Sequence, residues 1–134
     1  MFKDPILLLT FKRPIETKKV LKKILSINPK KLYVFQDGIS SNFNSEDLKL
    51  YNKTTKIIQK KRIKRKFVYH KFKNNIGQRY IASKTLKVVF KKESRIIFLE
   101  DDTVPDITFF KFCSLMLKKF ENNRKIFHIS GCNH

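Results

Sequence analysis

Apolar and polar residues follow two rhythms along this chain, and the changes between them divide it into short segments. Residues 5–11 (PILLLTF) form an unbroken apolar run of strand length, closed by Lys12-Arg13-Pro14. The next segment sets Val20, Leu21, Ile24 and Leu25 on one helical face and Lys18, Lys19, Lys22 and Lys23 on the other. Pro29 is expected to end that helix. Residues 31–38 (KLYVFQDG) return to strand character, with Asp37-Gly38 as the turn at the end. Ser45 is a candidate N-cap, and Glu46 and Asp47 suit the first turn of a helix running to about Lys60.

The second half repeats the scheme. Residues 66–72 alternate as a third strand, 79–93 read as a second strongly amphipathic helix, and 95–102 (RIIFLEDD) read as a fourth strand. Residues 106–123 predict a helix capped by Asp106, with Phe109, Phe112 or Cys113, Met116 and Phe120 inward. Residues 125–134 (KIFHISGCNH) predict a fifth strand. Strand and helix in strict alternation imply an α/β fold: one domain over residues 1–134, with a mostly parallel sheet, right-handed crossovers and flanking helices. Ligands of such sheets sit beyond the carboxyl ends of the strands. Those ends carry Thr10 to Arg13, Asp37-Gly38, Asn74 to Gly77, and Glu100-Asp101-Asp102. None of the three glycines follows the first strand, which argues against a dinucleotide fold, and no phosphate-loop motif is present.

Composition modifies this picture in one respect. With 31 Lys+Arg against 11 Asp+Glu the net charge is +20, which invites a polyanionic partner. Yet 25 of those cations are lysine, in a chain crowded with Ile, Asn and Phe. All four residue types have A/T-rich codons, so a biased base composition yields the same excess. The run from 56 to 73, with nine Lys/Arg and no acid, reads as a solvated helix end and edge strand, and no specific nucleic acid is expected. Lysines interrupt every apolar run before it reaches membrane-spanning length. Cys113 and Cys132 form no CxxC pair and read as structural thiols in a reducing cytoplasm. His70 and His128 read as core or edge residues of strands, and His134 as inert.

The acid triplet stands out against this charge. Three neighbouring carboxylates raise one another's pKa unless a cation neutralises them. Hard oxygen ligands suit Mg²⁺ or Mn²⁺, which keep one or two protein carboxylates and take other ligands from water and substrate phosphates. A helix cap needs only one acid, and Asp106 already supplies it.

Four blocks, "PILLLTFKRP", "LYVFQDG", "NNIGQRYIAS" and "IIFLEDDTVPDITFFKFCSLMLKKF...KIFHISGCN", resemble the GT-A nucleotide-sugar glycosyltransferases. The likeness is to a bacterial sugar-transferase or hemolytic-protein-like group related to the Golgi N-acetylglucosaminyltransferase that initiates complex N-glycans. It implies a Rossmann-like GT-A nucleotide-diphospho-sugar transferase fold and a metal-dependent hexosyl- or N-acetylhexosaminyl-transferase. Such an enzyme moves sugar from a nucleoside-diphosphate donor, here UDP-sugar, to an acceptor hydroxyl with Mn²⁺ or Mg²⁺. By the same resemblance Thr10 and Arg13 lie along the nucleotide, Asp37 receives the pyrimidine base, and Asn75 and Gly77 form the tight turn beside it. Arg79 reaches the phosphates, Asp102 ligates the metal, Asp101 faces the ribose or metal waters, and Glu100 organises the site.

Ser130 to Asn133 (SGCN) resemble the segment leading toward the acceptor side. The family continues past this motif into an acceptor-binding half that is expected to be absent here, and no residue of the chain reads as the acceptor base. A non-catalytic nucleotide-sugar-binding protein is therefore an alternative expectation, and a basic nucleic-acid module a weaker one. The acceptor, whether glycan, lipid-linked or protein, is not identified by these residues. The setting implied is cytoplasmic, with peripheral association at the inner membrane surface.

Overall fold

The computed structural model describes residues 1–61 and 67–131. Its strands are β1 (Ile6–Thr10), β2 (Leu32–Gln36), β3 (Phe67–Lys71) and β4 (Ile97–Glu100), all parallel, in the order β3-β2-β1-β4. The helices are α1 (Pro14–Ser26), α2 (Ser45–Lys61), α3 (Gln78–Val89) and α4 (Ile107–Lys119). β1 and β2 are buried at every position, which explains why they read as continuous apolar runs: both faces of a parallel sheet are covered. Ile6 and Leu8 enter a core layer with Val20, Leu21 and Ile24 of α1, Ile58 of α2 and Phe110 of α4. Leu7 and Leu9 face the other way, toward Ile81 and Val89 of α3. Each fully buried leucine or isoleucine contributes about 2 kcal/mol, so the sheet's centre is its most heavily stabilised part.

The sheet is the α/β architecture expected from the sequence, consistent with a Rossmann-like fold. β1 leads outward through β2 to β3, and the chain then crosses back to lay β4 against the opposite side of β1. The carboxyl ends of β1 and β4 therefore flank the topological switch point, where open α/β sheets hold their ligands. At the opposite pole, Lys31 Nζ and the Tyr33 hydroxyl both donate to Glu93 Oε1, at 2.6 and 2.5 Å. There too Arg95 Nε lies 2.9 Å from buried Asp4. These pairs hold the sheet's amino end and leave its carboxyl end for other work.

Several local expectations need correction. α1 stops at Ser26, ahead of Pro29, because Asn28 turns to a positive φ of 50°. The cap of α2 is Asn44 rather than Ser45: the Asn44 side chain accepts from Asp47 N–H at 2.8 Å, and Asp47 Oδ2 accepts from Asn44 N–H at 3.4 Å, a reciprocal capping box. α3 ends at Val89, four residues short of the expected 93. α4 buries Phe110 and packs Phe109, Cys113 and Leu117 on the core, while Phe112 is left exposed. Its inner face is thus rotated from the one predicted, although Asp106 does cap it, accepting from Thr108 N–H at 2.9 Å.

Among the described residues the fifth strand does not form. Residues 125–131 are irregular, with Phe127 fully exposed, and 132–134 of that segment, which include Cys132 and His134, lie outside the described residues. Gly131 nevertheless packs closely on the Phe109 ring, which returns this segment to the first turn of α4. Of the basic run 56–73, residues 62–66 lie outside the described residues; the remainder is the end of α2 and the edge strand β3, as expected. His70 sits on that edge strand between the rings of Phe35 and Phe72, whereas His128 is exposed and in no strand.

Candidate functional site

Two polar assemblies occupy the carboxyl edge of the sheet. The first is built on Asp37, the residue after β2, which is 5% exposed. Its Oδ1 accepts the N–H groups of Gly38 at 2.8 Å and Ile76 at 2.7 Å, and its Oδ2 accepts Gly77 N–H and Asn75 Nδ2, each at 3.0 Å. A carboxylate offers about four lone-pair positions, so all of them are used. Asn75 Nδ2 also donates to the Gly38 carbonyl at 3.2 Å, and Asn75 N–H to the Ile39 carbonyl at 3.2 Å. The segments leaving β2 and β3 are thereby clasped side by side. Gly77 takes a φ of 83°, a conformation natural to glycine, as the residue leading into α3. The structure does bring together the predicted residues Asp37, Asn75 and Gly77, and it gives the Asp37 carboxylate to the protein's own backbone. Above the clasp lies an open cleft of about 580 Å³ lined by Ile39, Ser40, Ser41, Lys73, Asn74 and Asn75.

The second assembly sits at the switch point. Strand alternation separates the first of the three consecutive acids from the second. Glu100 pairs with Leu9 and lies on the α3 side of the sheet, whereas Asp101 turns toward α1. Asp101 is 5% exposed, and its Oδ2 accepts Phe11 N–H at 3.0 Å and the Thr17 hydroxyl at 3.3 Å. Its Oδ1 faces Arg13 Nη1 at 3.4 Å. The same Arg13 nitrogen donates to Asp102 Oδ2 at 2.6 Å, and Asp102 is 48% exposed. The cation that makes neighbouring carboxylates tolerable is therefore present in the chain itself. Asp101 fastens the end of β4 to the turn between β1 and α1, and Asp102 and Arg13 stand on that mount facing solvent.

The electrostatics follow the geometry. Burial pushes the Asp101 carboxyl above the ordinary carboxylate range; the Phe11 N–H, the Arg13 charge and the Thr17 hydroxyl pull it down without cancelling the rise, and Asp102 adds to it. The hydrogen bond to Asp102, with Asp101 nearby, outweighs partial desolvation and raises Arg13 above its usual value. A raised carboxyl pKa in the folded state means that its stabilising contribution is complete below the unfolded pKa near 4 and is lost as pH rises through the folded value. Wild type is accordingly expected to lose stability relative to Asp101→Asn between pH 4 and pH 7. Urea midpoints of both proteins at the two pH values check this. A constant difference would mean that Asp101 titrates normally.

Of the remaining predicted residues, Thr10 touches the first assembly through its backbone, its carbonyl accepting from Asp37 N–H at 3.0 Å, while Arg79 lies apart. Thr10 is buried at 4% exposure, and its hydroxyl finds no partner among the described residues. Arg79 is exposed in the first turn of α3, 5.5 Å above the Tyr80 ring. Two residues that the sequence did not mark tie the edge together. Gln36, fully buried, donates to the Phe11 carbonyl at 2.9 Å and accepts from Thr55 at 2.9 Å and from the Tyr69 hydroxyl. Tyr51 packs against Phe11 and Phe43 at ring distances of 6.3 and 5.9 Å, and burial, with Tyr69 and Asp37 nearby, pushes its hydroxyl up to about 12. The available signals were a glutamine inside a buried strand and a tyrosine on the threonine-rich inner face of α2.

Among the described residues no group of three or more His, Cys, Asp or Glu is placed to hold a metal ion. What the switch-point assembly offers a hard cation is one exposed carboxylate, Asp102. That fits an ion which keeps its waters and takes further ligands from a substrate's phosphates. Comparison with protein-family models, with curated proteins and with solved structures gives no match. The likeness to GT-A transferases rests on the sequence blocks alone.

Proposed function

We propose that this chain binds a nucleoside-diphosphate sugar and forms the donor-binding part of a metal-dependent glycosyltransferase. The observation that carries the proposal is the solvent-facing Arg13–Asp102 pair at the switch point, mounted on buried Asp101. A diphosphate entering there meets a guanidinium whose fork suits phosphate oxygens. Arg13 then exchanges one anionic partner for another, and Asp102 becomes available to Mn²⁺ or Mg²⁺, whose contribution is to neutralise charge on the departing diphosphate. Asp101 keeps both residues in place, because its own hydrogen bonds run to α1 and the backbone. In this reading the Asp37 clasp sets the height of the nucleotide-facing loops, and the base contacts come from the cleft residues above it.

Calorimetry with UDP, with and without Mn²⁺, tests the site. Asp102→Ala is expected to remove the metal-dependent part of UDP binding, a loss of about tenfold or more, with an unchanged melting temperature. Arg13→Gln is expected to weaken UDP with and without metal. UDP affinity unchanged in both variants would overturn the proposal.

A specific observation favours the second reading, a binder without turnover. The edge carboxylates Asp37, Asp101 and Asp102 are each engaged by protein donors, so none of these three stands free as an acceptor base. Steady release of UDP from a UDP-sugar by this chain alone would decide for the enzyme.

A further inference from the structure

We propose that the outer face of the α1–α2 layer is a docking surface for an anionic phospholipid bilayer. The two helices lie on the same side of the sheet and bury Val20, Leu21 and Ile24 together with Ile58 in one core layer. α2 turns Tyr51, Thr54, Thr55 and Ile58 inward. Diametrically opposite, at spacings of four, three and four, stand Lys49, Lys53, Lys56 and Lys60, all exposed. α1 adds Lys18, Lys19 and Lys22.

The carboxylates of these two helices, Glu16, Glu46 and Asp47, are confined to the first turns, at the end nearest the candidate site. Asp47 is already paired with Lys12, and Glu46 lies 3.9 Å from Lys49, which leaves Lys53, Lys56 and Lys60 of the α2 row with no acid in their own turns. From the second turn onward neither helix contains an acid. Like charges at helical spacings of three and four are destabilising, so this face opposes its own helices. A dense negative surface relieves that repulsion.

The form of the face selects the partner. α2 is 17 residues long, about 25 Å, and α1 packs beside it, so their lysines are spread over two helix widths rather than along one line that tracks a strand. The charges of the two helices are lysines, which act as point cations against a headgroup layer; neither α1 nor α2 contains an arginine fork or an exposed aromatic ring of the kind that reads nucleic acid. Among the described residues no helix is long and apolar enough to cross a membrane, so the contact is superficial. Both helices run antiparallel to the strands, and their first turns flank the carboxyl edge of the sheet. Lying flat on a bilayer, the layer would direct that edge sideways at the level of the headgroups.

The test is sedimentation of the full chain with vesicles of phosphatidylcholine alone or mixed with phosphatidylserine. Two variants lose the same charge: Lys22, Lys53 and Lys56 to Gln on the proposed face, and Lys87, Lys91 and Lys92 to Gln on and after α3, across the sheet. Binding is expected to require phosphatidylserine, to fall by about tenfold or more in the first variant, and to change by about twofold or less in the second. Equal losses in both variants would show that net charge alone governs association and would overturn the docking face. Equal binding to uncharged vesicles, or displacement of bound protein from vesicles by a single-stranded RNA that binds more tightly, would overturn it as well. Unchanged circular dichroism in both variants keeps loss of fold out of the comparison.

Discussion

Replacing Asp37 with alanine is expected to destabilise the chain by about 4 kcal/mol or more. The estimate follows from what the carboxylate holds: three backbone N–H groups, of Gly38, Ile76 and Gly77, and the Asn75 side-chain amide. Each hydrogen bond to a charged group is worth about 1.5–3 kcal/mol, and donors deprived of it under cover keep a desolvation cost. Relief by entering water reduces the sum, since Asn75 is exposed and Ile76 and Gly77 are half-buried. A total stability of about 5–15 kcal/mol for a domain of this kind would lose a large fraction. Asp37→Asn keeps one acceptor oxygen but turns an NH₂ toward donors, so it should fall between alanine and wild type. Urea midpoints for the three proteins give the answer. An alanine variant within about 1 kcal/mol of wild type would show that the clasp does not hold the edge.

The second large effect is expected at the adjacent position. A Cβ added to Gly38 would come within 2.2 Å of the Asn74 carbonyl carbon and oxygen and 2.7 Å of its nitrogen. Those are backbone atoms, which cannot swing aside as a side-chain tip can. The segments after β2 and β3 run in parallel here, with a bridge between Ile39 and Asn74, and the missing side chain permits that approach. Gly38→Ala must separate them, at about 3 kcal/mol, the upper part of the range for overpacking. Because both substitutions open the same clasp, Asp37→Ala and Gly38→Ala together should cost less than the sum of the two. Strict additivity would mean that they act on different structures. Melting curves of the two single variants and the double variant separate these cases.

The reasons for what could and could not be read from the sequence are local. β1, β2, α1 and α3 were legible because their apolar residues are either continuous or spaced for one helical face. α4 has apolar residues around most of its circumference, among them Phe109, Phe110, Phe112, Leu115 and Leu117, so periodicity did not choose the face; packing on the α1 side of the sheet did. The alternation in residues 125–134 suggested a strand, but alternation fixes a strand only where a sheet edge receives it, and the described residues 125–131 run as irregular chain. Ser45 and Asn44 are both good caps, and Asp47 decides for Asn44 because it stands three residues further on and closes the box.

At the site, the strand-end rule located the polar edge correctly, since it depends only on chain direction. The partners of each carboxylate were beyond reach because they come from far along the chain. Arg13 meets Asp102 across 89 positions, and Gly77 meets Asp37 across 40. The separation of Glu100 from Asp101 could have been read, since successive strand residues point to opposite faces. Counting the three acids as one cluster overlooked it.

The crossing that places β4 beside β1 also sets an order of events during synthesis. α1, α2 and the first three strands can assemble while β1 still has an open flank, since their pairings join neighbouring stretches of the chain. Arg13, made early, has no carboxylate from β4 until Asp101 and Asp102 have left the ribosome and β4 has closed that flank. The anionic half of the site is thus completed by a late-arriving segment, and a nascent chain halted before it would carry the basic half alone.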